Sequence, residues 1–566
     1  MPHPMFARAY TRELEALWSG LARVSARFPR LEHVLQRDAD PRMQRLVQGA
    51  AYLFAQVREK LGDELPEVGD ALVARALPGV LRGLPSATVV ELGASAAARR
   101  VAVVPAGSTL LVRKGRDTLR FTSAWDCTVH PLRVAGTSVV RDATGAQRFE
   151  IALRGAGTLE ATVPGELTLF FGHPDRKLSL AIARAFALAP EVRLRASRRG
   201  RLPVETTVRA AIRVRGLDVA DRVFPGRSER FRSSTLLREL AVFPEKHAFV
   251  TLQLPPRFRE EIGEHETLAL EVDLPFAVAG AELLDATHVR TCCVPMVNVF
   301  GADTGVLRGV RAPTLPLRSA EVPHAEPYEV ERVVLDPGVP TETVVPSWEH
   351  DFVDGTGTIL HRVLRRRASH GEGADWSVAF LGERSFQEPV PLRPLRVEFL
   401  ASDGARTSGL GIGDVTGTVG GLTAVNVTRV TQAVLPASDR EIAWRSSAHA
   451  RMAAGTLADL GHLRAFLEVN DPLRLVSPET LQASAHERVH RLDADGDLQW
   501  GDHYRIDLDG ESLGGVGAVH VLAHALHAAL AERTELSRFV TLDVHDGDQT
   551  VRRPACTGER APFPFG

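Results

Sequence analysis

The chain has 566 residues, 44% hydrophobic and 24% charged, which is more apolar material than one core holds, since single cores rarely grow beyond about 250 to 300 residues; three or four domains are expected. Its 68 basic and 70 acidic side chains leave a net charge of -2, which excludes an overall electrostatic pull toward nucleic acid or an anionic membrane. Four scattered cysteines, at 127, 292, 293 and 556, exclude a disulfide scaffold, offer no CxxC zinc spacing and point to a reduced, cytoplasmic protein.

Arg12, Glu13 and Glu15 precede any long apolar run, against a signal peptide. Tyr10, Leu14, Leu17, Leu21, Val24 and Phe28 recur in steps of three and four, which predicts a helix ended by Pro29. A second helix is expected from Asp40 as N-cap and Pro41 in the first turn, with Met43, Leu46, Val47, Ala50, Leu53, Phe54, Val57 and Leu61 at helical spacing. A short third one is expected over 67–77. From Ser86 the pattern changes to β-branched runs separated by glycine and proline, including a turn at Pro105-Ala106-Gly107 and a hairpin over 148–163 around Gly155 and Gly157. Helices interrupt near 176–189 and 232–240. The apolar run over 178–189 is only twelve residues and contains Arg184, too short for the ~20 a membrane span needs. Proline-rich 312–327 reads as an extended connector. Strands follow near 328–335, 376–381 and 395–400, then a glycine-rich stretch over 404–421, helices at 451–468 and 517–532 and a strand at 538–544. The fold class is α+β and multidomain. It comprises an N-terminal helical module over 1–85, a β-rich α+β domain over 86–311, the connector, a second β-rich domain over 328–440 and a C-terminal α/β region over 441–566.

The apolar arc of the second helix, which also takes in Ala51, is too wide for one neighbouring helix to cover. The remainder is covered either by the body of the same chain or by a partner's helices; on the second reading the module serves assembly, with Tyr10, Leu14, Leu46, Tyr52, Leu53, Phe54 and Val57 as candidate partner-interface residues.

Several strings in consistent order resemble the TssF (VasA, ImpG) family of type VI secretion baseplate subunits. They are YTRELEAL at 10–17, Phe28-Pro29, the segment 40–67, Pro78, Pro85-Ser86, and RFTSAW followed by His130-Pro131-Leu132. The interior matches are STLLRELAVFPEKHAFVTL at 234–252 and CCVPMVNVF at 292–300; Trp444-Arg445, Gly501 and Leu536 to Leu542 are similar to later signatures. Where the family usually has Thr-Asn, this chain has Ser402-Asp403. The resemblance implies a structural wedge component with no catalysis and no cofactor. It would join TssG, near TssE, the TssK adaptor and the VgrG spike, as the platform for sheath polymerisation. More than one copy per wedge is expected, at the membrane-docked apparatus but not inserted in the bilayer. The neighbouring reading is the equivalent subunit of a phage-like contractile particle.

The remaining motifs suggest chemistry whose full residue sets they lack. His520, His524 and His527 fall at i, i+4 and i+7 of a helix, on one face, which makes a metal-dependent hydrolase the rival from another class. HVLAHALH lacks the glutamate of HExxH, so a packing or interface face is expected instead. DADGDLQWGD at 493–502 starts like a calcium loop, but Leu498 stands where glycine is needed and Tyr504 where a glutamate is needed, which leaves a polar hairpin turn. GLGIGDVTG at 409–417 has no GxGxxG and reads as a flexible loop, and Ser95 lacks a GxSxG elbow. Cys292 and Cys293 abut an apolar run and read as a core strand. LRRRAS at 364–369 reads as a solvated or interface face.

Overall fold

The computed structural model describes residues 4–27, 41–61, 79, 82–93, 101–209, 212–226, 232–308, 314–337, 342–346, 360–367, 374–382, 385–388, 393–434, 454–471, 480–492, 496 and 498–559. Two units divide the chain, Met1–Asp70 and Ala71–Gly566. Phe28-Pro29, Asp40, the helix expected over 67–77, Pro78, Ser95 and Trp444-Arg445 lie outside the described residues.

The first unit is a pair of packed helices, α1 (Pro4–Arg27) and α2 (Pro41–Leu61). Proline at the first position of α2 sacrifices no intrahelical bond, because that N–H has no partner in any helix. Val47, Ala51 and Ala55 are buried and recur every four residues, a narrow seam of small and β-branched side chains that lets two helices approach closely.

The second unit is α+β, and its sheets are antiparallel apart from two strand pairs. A six-stranded sheet runs in the order Thr416–Val419, Leu422–Asn426, Ala87–Gly93, Cys293–Val297, Asp117–Ser123, Thr109–Lys114. Its central strand Cys293–Val297 is buried throughout, whereas the edge strand Thr109–Lys114 alternates, as expected when only one face of an edge is covered. The sheet therefore joins residues from both β-rich stretches of the sequence. Leu84 and Ser86 are buried with it, and Leu84 bridges to Val434.

A five-stranded sheet (Val204–Arg209, Glu191–Ser197, Thr267–Asp273, Gln147–Gly155, Leu132–Arg141) and a four-stranded one (Ile212–Val214, Phe249–Gln253, Glu166–Phe171, Val289–Thr291) share a core with helix α3 (Arg176–Leu188). Phe149, Phe171 and Phe186 meet there with ring centroids 5.1 to 6.5 Å apart. The hairpin expected over 148–163 is not formed. Gln147–Gly155 pairs with Leu132–Arg141 and Thr267–Asp273, and Leu159–Ala161 is a single 3-10 turn that drives Leu159 into the core. Alternation marks a strand but does not specify its partner.

An eight-stranded sheet runs from Phe300–Asp303 through Leu395–Ser402, Glu326–Leu335, Glu342–Pro346, Leu360–Arg367 and Ala374–Gly382 to Thr314–Pro316, with Ser385–Glu388 on the side. Part of the proline-rich stretch is thus a strand in this sheet. Helix α4 (Arg232–Val242), helix α5 (Leu460–Asn470), helix α6 (Val516–Ala531) and a four-stranded sheet (Leu481–Leu492, Leu498–Leu508, Phe539–Asp546, Gln549–Thr557) form another core. The helix expected over 451–468 is split into a 3-10 turn, Ala454–Ala458, and α5, because Asp459 caps α5 by accepting from His462 N at 2.9 Å. Strands Leu498–Leu508 and Phe539–Asp546 are parallel, joined by the crossover that contains α6. Helices α3 and α6 cross at Gly517, where an added Cβ would lie 2.4 Å from the carbonyl carbon of Leu180.

Candidate assembly surfaces and buried polar sites

On α2, large apolar side chains sit beside the buried seam and face solvent: Leu46 is 67% exposed, Leu53 61%, Phe54 50% and Tyr52 48%. Tyr10 and Leu14 on α1 are half-buried. The side chain of Val57 lies outside the described part. A contiguous apolar stripe on a surface helix marks an interaction site more often than a scattered leucine does. A second exposed apolar group, Leu492, Leu498 and Trp500, lies where the Leu481–Leu492 and Leu498–Leu508 hairpin extends past its neighbouring strand.

The two strongest interior strings build polar locks. In 234–252, α4 carries Glu239 and the following 3-10 turn Pro244–Ala248 carries Lys246; the two form an ion pair with Lys246 0% and Glu239 1% exposed. The Glu239 carboxylate also accepts from Val223 N at 2.7 Å and Phe224 N at 3.1 Å, which fixes the preceding loop. In 292–300, Cys292 adopts a left-handed φ of +56° as the chain enters the central strand. At its far end Asn298 donates to Arg120 O and Asp403 Oδ2, both at 2.7 Å, and accepts from Asp403 N at 2.8 Å. Asp403 thus takes part in a complete buried network despite the departure from Thr-Asn.

The histidines share α6 but not a ligand. His520 stacks on Phe276 at 6.0 Å, His524 Nδ1 lies 2.7 Å from Arg553 Nη2, and His527 Nε2 lies 3.3 Å from both Val540 O and Cys556 Sγ. Burial pushes His520 down to about 4 and His524 to about 3, and lowers His527. Among the described residues no three His, Cys, Asp or Glu side chains converge to hold a metal. The Cys556 thiol beside His527 is pushed up by burial, the reverse of what an activated nucleophile needs. Burial also raises Cys127, Cys292 and Cys293, which are free thiols in the core as the sequence suggests.

The glycine-rich loop over 409–417 is held rather than free: Asp414 accepts from Gly411 N at 2.7 Å, and Asn426 accepts from Val415 N and donates to Gly411 O, each at 2.8 Å. Those amides are unavailable to a phosphate. Residues 493–495 and 497 of the calcium-like run lie outside the described residues, while Leu492 and Leu498 pair across it. In LRRRAS, residues 364–367 belong to a strand, Arg365 stacks 5.3 Å from the Trp376 centroid, and 368–369 lie outside the described residues. The feature that sequence reasoning passed over is Arg184. Its position inside an apolar helical run was the available signal, and the structure buries it.

Fold and surfaces together define a large mixed α+β protein whose polar groups lock sheets to one another and whose N-terminal helices present an apolar stripe. The family model described as "Type VI secretion system, TssF" matches residues 3–560, and the chain belongs to that family. The type VI secretion system component TssF1 of Pseudomonas aeruginosa is 27% identical over 326 residues, 53% of this chain and 52% of that protein, so the match spans about half of each. A chain in the cryo-electron microscopy structure of the type VI TssK-TssF-TssG baseplate subcomplex shares the fold with a TM-score of 0.74 and 21% identity, covering 92% of this chain and all of that one. A chain in the type VI baseplate complex does so at 0.62 and 18%, covering 98% and 100%.

Proposed function

We propose that this protein is a structural subunit of a type VI secretion baseplate wedge. It joins a TssG-like partner, with TssK-like and TssE-like proteins and a VgrG-like spike nearby, in the cytoplasm at the docked apparatus. The family match across residues 3–560 carries this reading. It is supported by the fold shared with a chain of a TssK-TssF-TssG subcomplex and by the described helices, none of which is long and apolar enough to cross a membrane. The α2 stripe is the proposed TssG-like contact. Leu46→Glu, Leu53→Glu and Phe54→Glu together should leave the melting temperature nearly unchanged, because exposed positions usually shift stability by no more than about 0.5 kcal/mol each. They should abolish co-purification with the TssG-like partner. Undiminished co-purification refutes the stripe as the contact, and failure of the unaltered chain to co-purify with TssG-like and TssK-like proteins refutes the wedge assignment.

A further inference from the structure

Where α3 crosses α6, the close approach of Gly517 to Leu180 sets the next turns of both helices side by side. Arg184 follows Leu180 by one turn on α3, and His520 and His524 follow Gly517 by one and two turns on α6, so all three share the facing surfaces. The 3-10 turn Pro244–Ala248, which packs on α3, adds His247, and the strand Gln549–Thr557 adds Arg553. Arg184 is 7% and His247 2% exposed, while His520, His524 and Arg553 are half-buried, so the cluster reaches from the interior to the surface.

The cluster is basic and lacks a counter-charge. Among the described residues no carboxylate pairs with Arg184 or Arg553; Lys246 next door is already neutralised by Glu239. The buried Nε of Arg184, both ring nitrogens of His247 and Nε of Arg553 have no hydrogen-bond partner among the described residues. His524 is committed: Nδ1 faces Arg553 Nη2 and the ring bonds to the Leu217 backbone, so it orients Arg553. A buried guanidinium without an anion, that of Arg184, is costly, since an uncompensated buried charge and an unmade hydrogen bond each destabilise by kilocalories. Burial lowers both arginines, and Arg184, which also feels the charge of Arg553, falls to about 10.

We propose that this cluster binds a small oxyanion of the phosphate class, held by the Arg184 and Arg553 guanidinium groups, with His247 and His520 as further donors and His524 as the positioning residue for Arg553. The donor geometry suits tetrahedral oxygens: planar guanidinium forks bind phosphate through paired N–H groups, and imidazole supplies single N–H donors. Such an ion would neutralise the seam between α3 and α6, and hence between the two cores those helices serve.

The test is equilibrium dialysis of the full chain against labelled inorganic phosphate, with thermal melts in phosphate and in chloride at equal ionic strength. The expected result is saturable binding of about one phosphate per chain and a melting temperature that rises with phosphate but not with chloride. Arg184→Gln and Arg553→Gln should each weaken binding at least tenfold, while Arg505→Gln, an exposed arginine paired with Asp507, should not. If Arg184→Gln fails to fold, the half-exposed Arg553→Gln and the unaltered chain decide the matter. Absence of saturable binding, equal melting in the two salts, or undiminished binding by Arg553→Gln overturns the proposal.

Discussion

Replacing Lys246 by methionine removes the cation paired with Glu239 in a site where the two side chains are 0% and 1% exposed. The remaining carboxylate keeps its bonds from Val223 N and Phe224 N but stays buried with an unmatched charge. Breaking a buried pair in this way costs about 3 to 5 kcal/mol. Unfolding entropy is about 2.1 cal/mol/K per residue, so for a unit spanning Ala71 to Gly566 melting as one block each kcal/mol shifts the midpoint by roughly 1 °C, and the expected fall is about 3 to 5 °C. Converting Glu239 to glutamine in the same chain removes the orphan charge yet retains a carbonyl for the two amides. Glu239→Gln/Lys246→Met should therefore be more stable than Lys246→Met alone by about 2 kcal/mol, although it carries one more substitution. Differential scanning calorimetry on the four members of the cycle measures this. A Lys246→Met midpoint within about 1 °C of the parent, or a double variant as unstable as the sum of the singles, refutes the reasoning.

Gly517→Ala should destabilise by about 3 kcal/mol or more, since the new Cβ meets backbone atoms of Leu180 and Ala181 that have no rotamer to yield; an unchanged melting temperature counts against the close crossing. Burial holds His130 and His520 near 4, His524 near 3 and His247 well below its ordinary value of 6.5. Between those values and 6.5 the unfolded chain binds more protons than the folded one. The stability these groups contribute is thus complete above about pH 6.5 and is lost as pH falls toward about 4; a flat melting temperature across that window refutes it. Native protein treated with a thiol reagent should label Cys556 at most, because Cys127, Cys292 and Cys293 are buried with raised thiols, and denatured protein should label all four; rapid native labelling of a core cysteine is the contrary result.

Local features were legible from the sequence. The helices expected over 176–189 and 517–532 appear as Arg176–Leu188 and Val516–Ala531, because each is an apolar run with clear punctuation at its ends. Pairing was not legible. Ala87–Gly93 finds its neighbours in Cys293–Val297 and Leu422–Asn426, and no short-range pattern encodes a partner that distant. Arg184 read as a flaw in an apolar segment because its significance depends on Arg553, His247 and α6, which only the fold brings together. The chain has only four lysines. Yet Lys246 fills a fully buried pair, and Lys114 Nζ donates to Arg406 O at 2.8 Å and Ser408 O at 2.5 Å, both roles suited to a compact ammonium rather than a planar guanidinium.

The stitched six-stranded sheet sets a timetable for synthesis. Val89 N donates a hydrogen bond to Thr428 Oγ1, 339 positions later in the chain. At about 5 to 20 residues per second the ribosome takes roughly 17 to 68 s to deliver that partner. Throughout that interval the strand Ala87–Gly93 lacks its Leu422–Asn426 neighbour, and the edge left open is a template for mispairing. Slowing the ribosome between these two points lengthens that exposure, so the yield of soluble protein should depend on translation rate and on chaperones that cover extended apolar segments, independently of the stability of the finished fold.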